Sequence, residues 1–389
     1  MMVCRQGILI ALFCLLLVGC AESLPFEAAS LRKPGDALDA AMQQWMTVQH
    51  SPGLAMAIVK DGQLASVRAY GLADVKTRKP VEPDTAFWLA SVSKTIIATA
   101  IMMLVEEGKL RLDDPVISYL DEKPPAWKGM TLRHLLSHTS GIANILTDTL
   151  TVTDLRFLRM PLIQHVFDPE GNHSEQEVLH VLGQQPLLFA PGTSEHYSNS
   201  NFVLLGMVIH KVTGKPYDQF LQERIFTPLH MSHTCVYGNT LPDTATGYSW
   251  ENGRLLLLEQ KQPTIDHKGY ACGGIVTTAP DLARFDIALA SGKLISPATF
   301  QLMCTPNVLA DGLKSIAGLG FFTGGPADHP WIIHTGGWSS WGGFSSLYQH
   351  LLKDHVSIIV LTNQVPMDWS TFPQGSIWSP YLPAPAGAP

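Results

Sequence analysis

The sequence predicts an α+β fold in which the N- and C-terminal segments jointly build an antiparallel sheet. Helices flank this sheet, and a mainly helical lobe is inserted between the two segments. Short apolar runs typical of strands occur near both ends of the chain. The middle of the chain instead carries apolar residues at helical spacing. Strands and helices do not alternate along the chain, which argues against a doubly wound parallel sheet.

The N-terminal part of the fold is predicted to begin with a helix around residues 37–48. Apolar runs at 54–59 and 64–70 follow, and Lys60-Asp61-Gly62 between them is a hairpin signal. A long helix then begins near Ser91. Because this helix is apolar almost all round, it is expected to lie at the centre of the fold.

Helix signals dominate the middle of the chain, and strand signals return near its end. Helices are predicted at 131–138, at 201–212, from Pro216 onward, and from the cap at Thr278 through Ala290. Strands are predicted at 319–322, 331–334, 343–347 and 357–361. Residues 366–389 show no clear helical period and are predicted to form a proline-rich tail.

The first residues carry the signals of export. Arg5 precedes an apolar run over residues 7–18, which is shorter than the roughly 20 residues of a membrane span. Residues 1–19 are therefore predicted to be a secretory signal peptide. Residues 20–36 are predicted to be a linker.

The end of this segment resembles the lipobox of bacterial lipoproteins. Leu17-Val18-Gly19 stands before Cys20, and the resemblance implies that Cys20 carries a lipid that anchors the protein to a membrane of the bacterial cell envelope. Because Ala21 rather than aspartate follows, the periplasmic side of the outer membrane is expected. The alternative is ordinary cleavage, which would give a periplasmic or secreted protein.

Composition limits the classes of partner. The 389 residues are 46% hydrophobic, which provides for a large core, and the net charge of −7 without a basic stripe gives no support to nucleic-acid binding. Beyond Cys20 the cysteines are Cys235, Cys272 and Cys304, which allow at most one disulfide and form no C-x-x-C pair. A monomer is expected.

Ser91-Val92-Ser93-Lys94 places a serine and a lysine three residues apart at the start of the long apolar helix. Residues at i and i+3 share a helix face, so the amine can reach the hydroxyl. A serine becomes a nucleophile when a nearby base takes its proton. The helix N-terminus adds backbone N–H groups that suit a developing oxyanion. The spacing therefore predicts a site for acyl transfer.

Two further motifs have side chains or backbone groups that such a site requires. Tyr197-Ser198-Asn199 lies in a predicted loop before a helix, where a phenol can pass a proton and an amide can hold a substrate carbonyl. His334-Thr335-Gly336-Gly337 ends a predicted strand, and its glycines allow a close approach of backbone or substrate. The pattern G-x-S-x-G does not occur, which argues against an α/β-hydrolase nucleophile.

Taken in this order, the motifs resemble the serine hydrolase family that contains class C β-lactamases, DD-carboxypeptidases and the β-lactamase-like (family VIII) esterases. The resemblance runs from about residue 54 to residue 363. It rests on the S-x-x-K, Y-x-N and H-T-G motifs and on longer phrases, which are Leu112-Asp113-Asp114-Pro115, Leu135-Leu136-Ser137-His138-Thr139-Ser140-Gly141, Asp281-Leu282-Ala283-Arg284-Phe285 and Leu361-Thr362-Asn363. It implies a β-lactamase/transpeptidase-like domain over residues 37–365.

The resemblance also divides this domain into two parts. The sheet part is expected at about 37–85 and 268–365, and the helical lobe at about 86–267. The family's chemistry implies no metal and no organic cofactor.

The resemblance implies a role for each residue that matches a family motif. Ser91 would be the nucleophile, Lys94 its partner base, and Tyr197 the proton shuttle for acylation and deacylation. The backbone N–H groups of Ser91 and Gly337 would form the oxyanion hole.

Substrate binding is implied for a second group of residues. Asn199 would contact the substrate amide, whereas His334 and Thr335 would face the leaving group or a carboxylate of the substrate. Gly336 lies between Thr335 and Gly337 in the same strand motif.

The chain departs from the family's pattern at two places. His334 stands where class C β-lactamases usually carry lysine, and a histidine with a reference pKa near ~6.5 is mostly neutral at pH 7. This disfavours β-lactam hydrolysis, and activity on carboxylate-bearing substrates is expected to improve as the pH falls toward 6. After Asn363, the family's usual long C-terminal helix has no counterpart in the sequence.

The sequence therefore favours a cell-envelope serine hydrolase that acts on a small ester or a D-amino-acid peptide through an acyl-enzyme on Ser91. Two alternatives stay open. One is a silent or slowly deacylating penicillin-binding or sensor lipoprotein on the same fold. The other is a zinc protein that uses His134 and His138, spaced i, i+4 on a predicted helix.

Overall fold

A computed structural model describes residues 36–144, 174–236, 243–258, 271–338 and 342–382. The strands of this part form a seven-stranded antiparallel sheet and two small three-stranded sheets. The predicted signal peptide, Cys20, nearly all of the predicted linker and residues 383–389 lie outside the described residues.

The seven-stranded sheet is built from both ends of the chain, as the sequence predicts. Its N-terminal strands are β1 (Gly53–Lys60), β2 (Gln63–Asp74) and β3 (Lys79–Pro80). Its C-terminal strands are β9 (Phe322–Gly324), β10 (Trp331–Trp338), β11 (Phe344–Leu351) and β12 (Val356–Thr362). The spatial order is β3-β2-β1-β12-β11-β10-β9. The α+β fold class is confirmed.

The two halves of this sheet meet where β1 pairs with β12. The register runs from Leu54 opposite Thr362 to Lys60 opposite Val356. Both strands are buried almost throughout, because the sheet is covered on both faces. Such strands read as continuous apolar runs, which is how both appear in the sequence.

One face of the sheet is covered by helix α1 (Ala37–Gln49) together with the segment after β12. Asp36 caps α1, and Arg68 of β2 forms ion pairs of 2.7 Å with Asp36 and Asp39. The apolar cluster on this face, here called the outer core, includes Met42, Trp45, Met56, Ile358, Phe372, Ile377 and Trp378.

The other face of the sheet packs on helix α7 (Ala279–Ala290) and on the helical lobe. The lobe contains α2 (Ser93–Glu106), α3 (Leu132–Leu136), α4 (Glu175–Gly183), α5 (Asn199–Thr213) and α6 (Tyr217–Leu221), and α8 (Pro297–Met303) follows α7. Twelve residues of α2 are buried, as expected for a helix that is apolar all round. Gly214, in the left-handed conformation with φ +69°, ends α5.

The two small sheets connect the lobe to the main sheet. One contains β4 (Phe87–Trp88), β8 (Ile275–Thr277) and β5 (Cys235–Val236), and the other contains β13 (Gln364–Val365), β6 (Tyr248–Glu251) and β7 (Arg254–Leu257). Strands of two to four residues carry too weak a period to be recognised in sequence, and none of them was predicted.

The predicted strand at 319–322 is wrong in its bounds, since β9 begins only at Phe322. Gly320 adopts φ +84°, and a β-carbon there would lie 2.2 Å from the β-carbon of Ala98 in α2. The chain therefore turns against α2 at this point. Leu319 and Phe321 are buried residues of a turn rather than of a strand.

The predicted absence of helix after residue 366 is also wrong. A short helix, α9 (Gln374–Trp378), follows a 3₁₀ turn at Trp369–Thr371, and both pack against α1. The indole of Trp45 donates a hydrogen bond of 3.1 Å to the Thr371 hydroxyl. This segment completes the cover of the sheet that a long helix would otherwise supply.

The three cysteines in the described part, Cys235, Cys272 and Cys304, are free and buried. Burial raises the pKa of the Cys272 thiol to about 11, so it stays protonated at neutral pH. Of the helices that the structure describes, none combines the length and apolar character that crossing a bilayer requires.

Replacement of Ile377 by alanine tests the packing of the C-terminal segment. Ile377 is fully buried in the outer core. Ile377→Ala is expected to lower the free energy of unfolding by about 2–5 kcal/mol, because it removes buried methylene and methyl groups and leaves a cavity. Urea denaturation measures the change. Ser376→Ala, at an exposed position of the same helix, is the control. Equal stabilities for both variants would contradict this packing.

Candidate active site

Ser91 lies in a 3₁₀ turn, Ala90–Val92, that continues directly into α2. The residue before it, Ala90, has a φ of +46°, a strained conformation for a residue with a β-carbon. The surrounding sheets hold this turn in place. The Leu89 N–H donates to the Ile275 carbonyl over 2.8 Å, and the Ser346 hydroxyl donates to the Leu89 carbonyl over 2.6 Å.

Gly336 allows strand β10 to approach the turn that carries Ser91. A β-carbon at Gly336 would lie 2.5 Å from the Leu89 carbonyl oxygen and 3.0 Å from the Ser91 nitrogen. Any larger residue would therefore push the strand away from the turn. The close approach that the sequence predicts at this glycine is present in the structure.

Lys94 is fully buried, and its ammonium lies at the centre of the site. Nζ donates hydrogen bonds to the Cys272 carbonyl (2.6 Å), to Asn199 Oδ1 (2.7 Å) and to Ser91 Oγ (3.0 Å). Two of these acceptors are carbonyl oxygens, which can only accept. They fix two N–H bonds of Lys94, so the third tetrahedral position points at Ser91. When Lys94 is a charged ammonium, the position of Nζ that faces Ser91 carries a proton. When Lys94 is a neutral amine, the same position carries a lone pair.

Tyr197 comes from the loop before α5 and meets Ser91 from the side of the lobe. Its O–H donates to Ser91 Oγ over 2.8 Å. Lys94 Nζ lies 5.1 Å from the centroid of the Tyr197 ring. The serine hydroxyl thus contacts both proton-carrying groups that the sequence predicts. The structure brings Ser91, Lys94, Tyr197 and Asn199 together.

Asn199 begins α5 and is held by a residue that the sequence analysis missed. Asn144 Oδ1 accepts hydrogen bonds of 3.3 Å from both the backbone N–H and the side-chain amide of Asn199. These contacts turn Asn199 Oδ1 toward Lys94. Asn144 lies three residues after the phrase that ends at Gly141, and no motif marks it in the sequence.

His334 lies on β10 with its side chain buried, and its ring centroid is 6.3 Å from that of Tyr197. Nδ1 lies 2.7 Å from the Thr335 carbonyl oxygen, which can only accept. Nδ1 therefore carries the proton. Burial, together with the charge of Lys94, lowers the pKa of His334 to about 3.

The expectation that His334 gains charge as the pH falls toward 6 is therefore wrong. Sequence reasoning used the reference pKa of an exposed histidine, whereas this imidazole is desolvated beside a buried cation. His334 is a neutral residue with its Nε2 lone pair free of a proton across the physiological range.

The remaining residues of this motif alternate along the strand. His334 and Gly336 lie on the side of β10 that faces Ser91, whereas the side chain of Thr335 is exposed. Gly337 has room for a β-carbon, with only Ser345 Oγ within 4 Å, at 3.9 Å. The implied role of Thr335 toward substrate and that of the Gly337 N–H in an oxyanion hole stay predictions.

Aromatic rings line the site beside Ser91 and Tyr197, and the sequence analysis did not identify them. Phe322 of β9 lies 6.1 Å from Tyr197 and 5.5 Å from His334, measured between ring centroids. His138 lies 4.5 Å from Tyr197 and 6.2 Å from Phe322. Phe322 could not be found from sequence, because only the tertiary fold brings β9 to the Tyr197 loop.

His134 and His138, the pair considered for zinc, accept hydrogen bonds from two separate parts of the backbone. Helix α3 ends at Leu136, so His138 does not share a helix face with His134. His134 Nδ1 accepts the Thr131 N–H at the N-terminus of α3, and His138 Nδ1 accepts the Ser198 N–H. No group of three or more His, Cys, Asp or Glu residues suited to a metal occurs among the residues described.

Comparisons with known proteins agree with this geometry. A family model described as "Beta-lactamase" matches residues 38–372. The putative penicillin-binding protein PbpX of Bacillus subtilis is 32% identical over 274 residues, which cover 69% of this chain and 61% of that protein. Esterase EstB of Burkholderia gladioli is 36% identical over 229 residues, 56% of this chain and 54% of that protein.

A solved structure extends the likeness over most of the fold. A D-stereospecific amidohydrolase from a Streptomyces species superposes with a TM-score of 0.68 and 26% identity, and covers 87% of this chain and 98% of that one. The chain spans less than two thirds of the length of the two curated relatives. Since the family model covers the sheet, the lobe and every motif of the site, the chain belongs to the beta-lactamase family.

Proposed function

We propose that the protein is a serine hydrolase that forms an acyl-enzyme on Ser91 and acts on a small ester or a D-amino-acid peptide. One observation carries this proposal: the Ser91 hydroxyl lies within hydrogen-bonding distance of both Lys94 Nζ and the Tyr197 hydroxyl. A serine with two adjacent proton carriers, one of them a buried lysine, is the arrangement that nucleophilic catalysis requires.

Acylation begins once the Lys94 ammonium of the resting site has lost a proton, and Ser91 Oγ then attacks the substrate carbonyl carbon while its own proton moves to the Lys94 amine. The carbonyl π bond becomes an oxyanion, which the N–H groups of Ser91 and Gly337 stabilise in this proposal. When the oxyanion collapses, the bond to the leaving group breaks, and the Tyr197 O–H gives the leaving group its proton. The proton held by Lys94 then restores the tyrosine O–H, which returns Lys94 to the amine form.

Deacylation repeats the sequence with water as the nucleophile. Water loses its proton to the Tyr197–Lys94 pair as it attacks the acyl carbon, and Ser91 Oγ leaves and regains a proton. The buried Lys94 needs no carboxylate partner for this exchange, because two carbonyl oxygens and one hydroxyl satisfy its three positions.

The neutral His334 favours an uncharged leaving group. A fixed positive charge at this position would attract a substrate carboxylate, whereas His334 presents an unprotonated Nε2. The half-buried Phe322 beside it adds apolar surface. We therefore propose neutral esters as better substrates than β-lactams, which carry a carboxylate. The similarity to an esterase supports small esters as substrates, and the similarity to a D-stereospecific amidohydrolase supports D-amino-acid peptides.

We further propose that the protein is exported and anchored to the cell envelope through a lipid on Cys20. The support for this lies in the sequence alone, in the apolar run over residues 7–18 and in Leu17-Val18-Gly19 before Cys20. Mass spectrometry of the membrane fraction distinguishes a lipid-modified Cys20 from a simply cleaved N-terminus.

Replacement of the nucleophile tests the proposed function. Wild type and Ser91→Ala are compared on a short-chain p-nitrophenyl ester, a chromogenic cephalosporin and a D-alanyl-D-alanine peptide. The ester or the peptide is expected to be hydrolysed by the wild type, and Ser91→Ala is expected to lose at least about 10³-fold in kcat/KM. Retention of activity by Ser91→Ala would exclude the proposed nucleophile.

Mass spectrometry over time separates the enzyme from a silent protein. A fluorophosphonate is expected to label Ser91 stoichiometrically, and a penicillin or an ester to give an adduct that decays. A penicillin or ester adduct that persists for hours would favour the sensor alternative. No adduct with any reagent would contradict the proposed function.

The pH profile tests the charge state of His334. Because its pKa is lowered from 6.5 to about 3, His334 stays neutral from pH 8 to pH 6. The ratio of kcat/KM for a carboxylate-bearing ester to that for its neutral methyl analogue is expected to be constant over this range. A ratio that rises as the pH falls toward 6 would mean that His334 acquires a proton there.

Exchange of His334 for lysine tests its effect on specificity. His334→Lys introduces an ammonium where the strand faces the site, so kcat/KM for the carboxylate-bearing ester is expected to rise about tenfold relative to the neutral analogue. His334→Gln, which keeps a neutral side chain, is the control and should leave the ratio near that of wild type. An equal ratio in all three proteins would exclude His334 from substrate discrimination.

A further inference from the structure

His138 holds the loop that carries Tyr197 at two backbone positions. The His196 N–H donates to the His138 carbonyl oxygen over 2.9 Å, and the Ser198 N–H donates to His138 Nδ1 over 3.2 Å. These two N–H groups belong to the residues on either side of Tyr197. One residue therefore binds the loop immediately before and immediately after the phenol.

The ring of His138 also supports the phenol directly. Its centroid lies 4.5 Å from that of Tyr197 with an interplanar angle of 36°, and Phe202 and Phe322 pack around it at 5.4 Å and 6.2 Å. His138 is 3% exposed. The imidazole is thus fixed by packing, and it fixes the Tyr197 ring in turn.

The backbone conformation of His138 makes this double contact possible. His138 lies just beyond the end of α3 with a φ of +57°, in the left-handed region. Histidine is enriched several-fold among the uncommon non-glycine residues found there. In this conformation, the carbonyl and the side chain of one residue both reach the Tyr197 loop. Strain at a functional site is retained when the surrounding contacts require it.

Two donors fix the tautomer of His138. The Ser198 N–H and the Asn201 amide, 3.3 Å away, both converge on Nδ1, which must accept at least the backbone donor and so carries no proton. Burial, followed by the charge of Lys94, lowers the pKa of His138 well below its usual value. The neutral tautomer with its proton on Nε2 is the form that can hold Ser198.

We propose that His138 is a positioning residue that sets the Tyr197 hydroxyl at hydrogen-bonding distance from Ser91. The inference rests on the proposed acyl-enzyme function, since it assigns to His138 an effect on proton transfer through Tyr197. The His138 ring makes no hydrogen bond to Ser91 among the contacts of the residues that the structure describes. Its influence on the reaction passes through the loop.

A double-mutant cycle separates positioning from general stability. The rate constant for phosphonylation of Ser91 by a fluorophosphonate and kcat for the p-nitrophenyl ester are measured for wild type, His138→Ala, Tyr197→Phe and the double variant. His138→Ala is expected to lower both about 10- to 100-fold with little change in KM, because displacement of a reacting group by about 1 Å has effects of this size. In the Tyr197→Phe background, His138→Ala should lower the labelling rate constant and kcat by less than threefold.

Two further variants act as controls. His134→Ala removes another histidine whose Nδ1 accepts a backbone N–H, that of Thr131 at 3.1 Å. Its ring makes no hydrogen bond to residues 196–198 in the part of the chain that the structure describes, so this variant should leave the rates within about threefold. His138→Asn keeps an acceptor near the position of Nδ1 and tolerates a positive φ, so it should recover part of the rate lost in His138→Ala. If His138→Ala fails to fold, His138→Asn and His138→Gln take its place in the cycle.

The outcomes are distinct. An equal loss from His138→Ala in both backgrounds, or an equal loss from His134→Ala, would overturn the positioning role. Crystal structures of wild type and His138→Ala test it without reference to activity, since the Tyr197 Oη–Ser91 Oγ distance should grow from 2.8 Å to beyond about 3.5 Å. An unchanged distance would overturn the proposal even if Ser91 proved reactive. A longer distance in an unreactive protein would contradict only the proposed function.

Discussion

The buried ammonium of Lys94 is the interaction on which the rest of the site depends. An unpaired charge in the interior is costly, and here carbonyl and hydroxyl oxygens from the turn before α2, from α5 and from the segment before β8 satisfy it. These three parts of the chain must therefore meet at one point. The same charge acts on its neighbours, since it lowers the pKa of His138 and His334 and opposes the rise that burial causes at Cys272. His138, His334 and Cys272 are therefore neutral beside Lys94 at neutral pH.

This arrangement requires that the sheet and the lobe come close without steric conflict. Gly336 removes the β-carbon that would separate β10 from the Ser91 turn, and Ala90 accepts a left-handed conformation in that turn. His138 accepts a similar conformation on the side of the lobe. These two positive φ angles, at Ala90 and His138, lie on opposite sides of the Ser91 site, and the packing of the sheet and the lobe holds them there.

Sequence reasoning reached the parts of the site that have a local signature. Ser91 and Lys94 follow from their spacing at the start of an apolar helix, and the order of Tyr197 and His334 after them indicates the family. Asn144 and the Cys272 carbonyl could not be reached, since an amide in a loop and a backbone oxygen carry no motif. The charge state of His334 also escaped, because it depends on burial beside Lys94 and not on residue type.

The same distinction applies to the fold. The hairpin of β1 and β2 and the long helices follow from period and turn residues, and they appear with shifts of a few residues. The turn around Gly320 could not be predicted from these signals. Its apolar run favours a strand, but the chain turns there because Gly320 packs closely against Ala98. Helix α9 escaped because its few buried residues, Ile377 and Trp378 among them, stand in a proline-rich context.

The pairing of β1 with β12 has a consequence for how the molecule folds. Leu54 lies opposite Thr362, so the central contact of the sheet closes a loop of about 300 residues, and non-local contacts of this kind slow folding. During synthesis, the edge of β1 stays uncovered until β12, about 300 residues later, has been made. The strand that carries His334 is incorporated in the same late step. The proposed reactivity of Ser91 should therefore appear only when the sheet closes. The rate at which this serine becomes open to labelling would then report the rate at which folding is completed.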